Sequence, residues 1–241
     1  MRDRGAPNGG PGGQGAKTVK TMRDDLAPDA LEHLPIFPLP NCVLLPGGLL
    51  PLHVFEPRYR ELTRDSLNGD RLMAVARLKP GYDADYQGRP PVHAFAGLGR
   101  IIASEELADG RYHILLRGVA RVRISEELAP VLSYRQVRAQ LLEDGASRQP
   151  EAVQSAYLQL VSLCDRLALC LDKGGDQLRE LVRGQSCAAE AADVITAALV
   201  TDPDARQQLL ETLDPADRLA HAVAHVGRLL CELAPCGSVP N

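Results

Sequence analysis

Proline spacing settles the first architectural question this chain poses. Between Leu34 and Val54 the sequence LPIFPLPNCVLLPGGLLPLHV carries Pro35, Pro38, Pro40, Pro46 and Pro51. Each removes a backbone donor and clashes with the preceding helical turn, so no helix fits anywhere in the run. The apolar pieces between the prolines are short. Ile36–Leu39, Cys42–Leu45 and Leu49–Val54 read as strands, with Pro46-Gly47-Gly48 as the turn between the last two. At Glu56-Pro57 the pattern changes. Proline at the first helical position costs nothing, and an acidic residue before it can cap the free N–H groups. Tyr59, Leu62 and Leu67 then recur at helical spacing until a stop at Asn68-Gly69.

Downstream, extended segments dominate as far as residue 143. Leu72–Leu78, LMAVARL, reads as a buried strand bounded by Asp70 and Pro80. Val92–Ser104 and Arg111–Ile124 flank Asp109-Gly110, a strong hairpin dipeptide. Gly97, Gly99 and Gly118 mark bends or bulges in them. In Tyr134–Leu142, Val137, Ala139 and Leu141 share one face and Arg138 and Gln140 the other. Strands at this spacing with one short helix predict a small closed or half-open barrel.

After the polar linker Leu142–Gln149 the period becomes helical. Val153, Tyr157, Leu160, Val161, Cys164, Leu167, Ala168 and Leu171 form one stripe ending at Gly174-Gly175. Short helices are predicted over Asp176–Arg183 and over Ala188–Val200, the latter facing inward through Val194, Ile195, Ala198 and Leu199. Asp202-Pro203 and Asp214-Pro215 each pair a cap with a first-position proline. The last helix buries Leu219, Ala222, Val223, Val226, Leu229, Leu230 and Leu233. The division expected is a glycine-rich disordered tail over 1–30, a barrel domain over 31–143 and an α-helical bundle over 144–241. Met22 is an alternative translation start to Met1.

Composition narrows the function by exclusion. A net charge of −4 favours neither nucleic acid nor an anionic membrane. No apolar run approaches the roughly 20 residues of a membrane span, and the N-terminus lacks a signal-peptide core, so a cytoplasmic protein is expected. Cysteine spacing agrees: neither Cys164/Cys170 nor Cys231/Cys236 is a Cys-x-x-Cys pair, and Cys42 and Cys164 sit in apolar stretches. Gly12–Thr18 imitates a phosphate loop, but Ala16 stands where the glycine before the lysine belongs and no strand precedes it. His221 and His225, four apart with Asp217 a turn earlier, fall on the solvent side of the last helix without a third histidine or a second shell. Lys173 lies in a Lys-Gly-Gly turn, unsuited to a buried Ser-Lys dyad. Ser186-Cys187 with His53, His93 or His113 matches no hydrolase signature. No catalytic residue, cofactor or metal site is predicted.

The stretch LPIFPLPNCVLLPGGLLPLHVFEPRYREL resembles the opening of the Lon N-terminal domain family. The version with Phe-Glu-Pro-Arg-Tyr is similar to stand-alone bacterial Lon-domain proteins and to the corresponding domain of cereblon. Val92–Gly99, Asp109-Gly110 and Ile114–Ile124 continue the likeness, so it covers about 34–143 closely; Asp214–Leu219 matches in pattern only. The resemblance implies an α+β protein: a PUA-like β-barrel followed by helices. It implies a substrate-binding module related to proteolysis and quality control, with a protease or a second copy of the chain as further partners. A peptidase by association with Lon is the alternative, for which this chain offers no dyad.

The residues singled out for contact with unfolded or extended polypeptide are His53, Phe55, Glu56, Arg58 and Tyr59 at the strand-to-helix junction, and Tyr82 and Tyr86 in the loop Lys79–Pro91. That loop is read as exposing both tyrosines. Glu56 is read as the helix cap, and His53 as hydrogen-bonded to Glu56 or nearby backbone. With no Trp and only three Phe, weak binding is expected.

Overall fold

A computed structural model describes residues 26–233 except 28, 87, 146, 148 and 149; the glycine-rich stretch 1–25, with its imitation phosphate loop and Met22, lies outside the described residues. The protein is α+β, with a six-stranded mixed sheet followed by helices. The strands are β1 (Leu34–Leu39), β2 (Leu49–Val54), β3 (Leu72–Arg77), β4 (Phe95–Glu106), β5 (Tyr112–Glu127) and β6 (Gln136–Leu142). Helix α1 (Pro57–Asn68) joins β2 to β3. The strand order is β2-β5-β4-β3-β1-β6, and β6 pairs again with β5, so five strands close on themselves. Only β1 and β3 run parallel.

Closure depends on the length of β5. Its first part, Tyr112–Arg117, pairs with β2, and its second part, Arg121–Glu127, pairs with β6. The changeover falls at Gly118. Strand β3 has no polar face because both faces are covered. Ala74 and Ala76 point into the ring with Ile36, Leu98, Val122 and Val137; Met73 and Val75 pack with Leu62 and Tyr59 of α1.

Cys42–Leu45 is not a strand. Its backbone is used against the sheet instead: a Cβ on Gly97 would lie 1.9 Å from the Leu44 carbonyl oxygen, and one on Gly118 2.1 Å from that of Leu45. The Gly47 N–H donates to the Gly118 carbonyl and the Gly118 N–H to that of Gly48, both at 2.9 Å. The segment rests on the sheet where two strands carry no side chain. Leu44 packs towards α1, while Val43 and Leu45 turn to the helices.

The helical half comprises α2 (Pro150–Cys170), α3 (Gly175–Arg183), α4 (Ala188–Leu199), α5 (Pro203–Glu211) and α6 (Pro215–Leu233). Helices α2, α3, α4 and α6 share one core around Leu160, Leu167, Val182, Ile195, Leu219 and Val226. Helix α5 faces the other way and packs Leu209 and Leu210 on Val43 and Leu45. Asp202 caps it through the Ala205 N–H at 2.7 Å, and Asp214 accepts from the Ala216 N–H at 2.9 Å. Three orientations differ from expectation, the first being Leu233 at the end of α6, which is 49% exposed rather than part of the buried stripe. Ala198 is exposed, because the inward side of α4 runs through Ala191, Ala192, Val194 and Ile195. His225 is half-buried: its Nε2 lies 3.1 Å from the Leu199 carbonyl at the end of α4, a bond that draws the ring off the solvent side.

A four-charge network ties the halves together. Arg121 of β5 donates from both terminal nitrogens to Asp193 of α4, at 2.8 and 2.6 Å, and from Nε to the Leu210 carbonyl at 3.2 Å. Arg218 of α6 approaches Asp193 at 3.0 Å and Asp144 at 2.9 Å. Those two contacts are ion pairs without hydrogen-bond geometry. Arg218 Nη1 does donate to the carbonyls of Thr212 and Leu213, both at 3.1 Å. Arg121, Asp193 and Arg218 are at most 4% exposed.

Candidate functional site

Most of the junction residues come together. Glu56 precedes α1 in an extended conformation, but its side chain makes no capping bond. Its carboxylate is held by Arg58 instead, with Nε at 3.1 Å and Nη2 at 3.0 Å, and accepts from the Tyr86 hydroxyl at 3.1 Å. With Pro57 at the first turn, the backbone has one fewer donor to satisfy, and the carboxylate is free to turn towards the loop. The Arg58 guanidinium lies 4.7 Å from the Tyr59 ring centroid and 5.6 Å from that of Tyr86. Tyr59 is itself stacked on Phe37 at 4.2 Å. Burial, aided by Glu56 and opposed by Arg58, pushes the Tyr59 phenol up to about 12, so it remains a neutral wall.

The two loop tyrosines are half-buried rather than exposed. Tyr82 opens a short 3-10 turn, Tyr82–Asp85, and its ring lies 6.3 Å from that of Tyr86, which the bond to Glu56 anchors. His53 and Phe55 lie apart from this set. His53 is exposed and makes no hydrogen bond among the described residues; its ring meets His113 at 4.9 Å and Phe55 at 6.0 Å, edge-on. The carboxylate expected as its partner is already taken by Arg58 and Tyr86.

Several residues beside the junction carry no mark in the sequence. Arg58 and Tyr59 line a cleft of about 240 Å³ with Arg89, Leu132, Tyr134 and Arg135. Beside it, Glu127 accepts from Arg89 at 2.7 Å and from Arg135 through two bonds of 2.7 Å. Burial would raise the Glu127 carboxyl, but the bonds and charges of Arg135 and Arg89 outweigh it and hold the group below its usual value. A depressed folded-state pKa stabilises the fold above the unfolded value of about 4.3 and loses that contribution as pH falls through the folded value. Glu127→Gln should therefore lower the melting temperature at neutral pH, and the difference from wild type should close on acidification below about pH 4. Thermal unfolding followed across that range checks it.

Strand β2 supplies the other half of the surface. Among the described residues it pairs with β5 alone, so its second edge is open. The Gly48 carbonyl points to β5, and strand alternation then turns the backbone groups of Leu49, Pro51 and His53 outward. Proline is tolerated there because an outward N–H has no partner in the sheet. Leu49 and Phe55 are 55% and 60% exposed, and Val131 is 85% exposed near the cleft residue Leu132. Leu49 lies in the predicted strand Leu49–Val54, whereas Val131 falls in none of the predicted elements.

Of the groups weighed from sequence, Ser186 and two of the histidines have carboxylate neighbours, and Cys187 is an exposed free thiol. The Ser186 hydroxyl donates to Glu190 at 2.7 Å. His93 lies 3.6 Å from Glu211 and His113 3.7 Å from Glu105, both remote in sequence from Cys187. His221 Nδ1 contacts the Asp217 carbonyl at 2.8 Å, and among the described residues no three His, Cys, Asp or Glu side chains are grouped to hold a metal.

A family model for the ATP-dependent protease La (LON) substrate-binding domain matches residues 33–228. The chain belongs to this family. The match runs through the helices, well past the stretch 34–143 in which the Lon motifs are legible. Lon protease 2 of Myxococcus xanthus is 27% identical over 191 residues, which is 79% of this chain and 23% of that protein. The Lon protease of Roseiflexus castenholzii is 30% identical over 208 residues, 83% of this chain and 25% of that protein. The chain thus spans about a quarter of the length of these Lon relatives. A crystal structure of a Lon N-terminal domain protein from Xanthomonas campestris superposes with a TM-score of 0.56 at 27% identity, covering 80% of this chain and 97% of that one. The N-terminal domain of the Mycobacterium avium complex Lon protease gives 0.60 at 18% identity over 81% and 98%, a likeness of fold. Among the described residues no helix is long and apolar enough to cross a membrane.

Proposed function

We propose that this Lon-type domain binds unfolded or extended polypeptide segments without catalysing a reaction on them, and acts as an adaptor in protein quality control or proteolysis. In this reading the closed sheet is a PUA-like β-barrel, 31–143 is the recognition unit, and the helices of 144–241 brace it from behind. The observation that carries the reading is the open edge of β2 beside exposed Leu49 and Phe55. An extended segment adds to such an edge through main-chain bonds, whatever its sequence, and places alternate side chains against the apolar residues. Pro51 and exposed His53 keep the edge from pairing continuously with another sheet, which fits weak, reversible capture. Arg58, fixed between Tyr59 and Tyr86, forms a rigid wall of the neighbouring cleft.

Fluorescence anisotropy with a labelled, permanently unfolded casein tests this. Wild type should bind saturably, and Leu49→Ser with Phe55→Ser should weaken binding about tenfold, the loss of an anchor worth roughly 1.4 kcal/mol. Absence of binding by wild type, or unchanged affinity in the double variant, would refute the site. Cleavage of the casein by the purified chain, abolished by changing one Ser or Cys, would refute the non-enzymatic reading.

A further inference from the structure

A second cleft, of about 230 Å³, opens on the other side of Tyr134, which lines both. Its walls carry Asp29, Asp65 and Asp70 against a single group able to become positive, His33. Asp65 accepts from the Tyr134 hydroxyl at 2.9 Å. Among the described residues the carboxylates of Asp29 and Asp70 have neither an ion pair nor a hydrogen bond; the bond that Arg100 makes to Asp70, at 3.1 Å, goes to its main-chain carbonyl. Ser66, 5% exposed, also lines the cleft, and its hydroxyl is buried with no hydrogen-bond partner. A buried hydroxyl without a partner is costly, and in a cleft wall it marks a place for a polar ligand atom. Both Ser66 and Gly69 stand at the C-terminal end of α1, where the helix dipole favours a cation.

A cation suited to these walls is organic. The acidic groups do not converge as metal ligands do, and Pro35 and Leu72 add apolar wall between them. Carboxylates spaced around an apolar wall suit a charged head on an aliphatic stem. We propose that this cleft takes the arginine or lysine side chain of a polypeptide bound along the adjoining surface. The inference rests on the polypeptide-binding reading and adds a specificity to it: captured segments carry a basic residue placed to cross Tyr134.

Two labelled peptides of serine, leucine and phenylalanine test it, one with a central arginine and its twin with uncharged, isosteric citrulline. Wild type should bind the arginine peptide about tenfold more tightly, as expected for a charge-assisted contact. Asp29→Asn with Asp70→Asn should erase that preference while leaving citrulline-peptide affinity unchanged, whereas Leu49→Ser with Phe55→Ser should weaken both peptides alike. Equal affinity of the two peptides for wild type, or a preference that survives the Asn pair, overturns the inference and leaves the polypeptide reading standing. Agmatine titrated into the whole chain supplies a readout independent of peptide capture. Saturable amide shifts at Ser66 and Asp70, lost in the Asn pair, support the cleft even if neither peptide binds; absence of shifts overturns it.

Discussion

Asp193→Ala should lower the free energy of unfolding by about 3–5 kcal/mol, the usual result of removing one partner from a buried ion network. Arg121 and Arg218 converge on this one carboxylate with almost no access to water. Without it two guanidinium groups remain buried, and among the described residues the only other carboxylate within ion-pair range of either is Asp144, 4.0 Å from Arg121 and 2.9 Å from Arg218. Their bonds to the carbonyls of Leu210, Thr212 and Leu213 hold them in place, so neither can swing out to solvent without abandoning those acceptors. Urea denaturation read by circular dichroism measures the loss. Because the network joins β5 to α4 and α6, the variant should also unfold in two steps, with the helices released before the sheet. A single transition at the wild-type midpoint would overturn this account. Arg218→Met on the Asp193→Ala background should cost much less than it does alone, with a coupling of roughly 1–3 kcal/mol.

The same residues show where sequence reasoning stops. Arg121 lies in VARVRI, where alternation places it with Arg123 on the face away from Val122 and marks it as solvated. It is buried because a helix 72 positions later covers that face, which no local pattern encodes. Asp193 is equally obscure, a carboxylate among alanines on the inward side of α4. Local chemistry, by contrast, was legible. The Glu56-Pro57 boundary, the hairpin at Asp109-Gly110 and the Asp-Pro starts of α5 and α6 each follow from a few neighbouring residues. The candidate site divides in the same way. Glu56, Arg58 and Tyr59 are adjacent and stand out together in the sequence; Leu132, Tyr134 and Arg135 reach the cleft only through the return of the chain into β6. Cys42–Leu45 failed as a strand because its apolar run is satisfied by two different neighbours, the sheet and α5, and not by a strand ladder.

Gly97→Ala should destabilise the fold by about 3 kcal/mol or more, at the upper end of what overpacking costs, because the obstacle is backbone. The added Cβ would sit 1.9 Å from the Leu44 carbonyl oxygen and 2.8 Å from its carbon, and a peptide group cannot rotate aside as a side chain can. Neither glycine has a left-handed φ, so the requirement is for space rather than for conformation. Gly118→Ala should behave alike, with its Cβ 2.1 Å from the Leu45 carbonyl oxygen, and the two changes together should cost less than their sum, since one shift of Leu44-Leu45 relieves both. Gly227→Ala is the internal contrast. It lies within α6 with nothing within 4 Å of its Cβ, so it should stabilise by roughly 0.5–1 kcal/mol through helix propensity. Calorimetry should read these as melting-temperature changes of opposite sign, about 2–4 °C per kcal/mol for a chain of this size. On the proposed reading the glycines bear on polypeptide capture through β2. Gly118 exchanges hydrogen bonds with Gly47 and Gly48, the residues from which the open edge departs. At temperatures where both variants are folded, Gly118→Ala should weaken capture of unfolded casein more than Gly97→Ala does; equal affinities would separate the packing of Leu44-Leu45 from the alignment of the β2 edge.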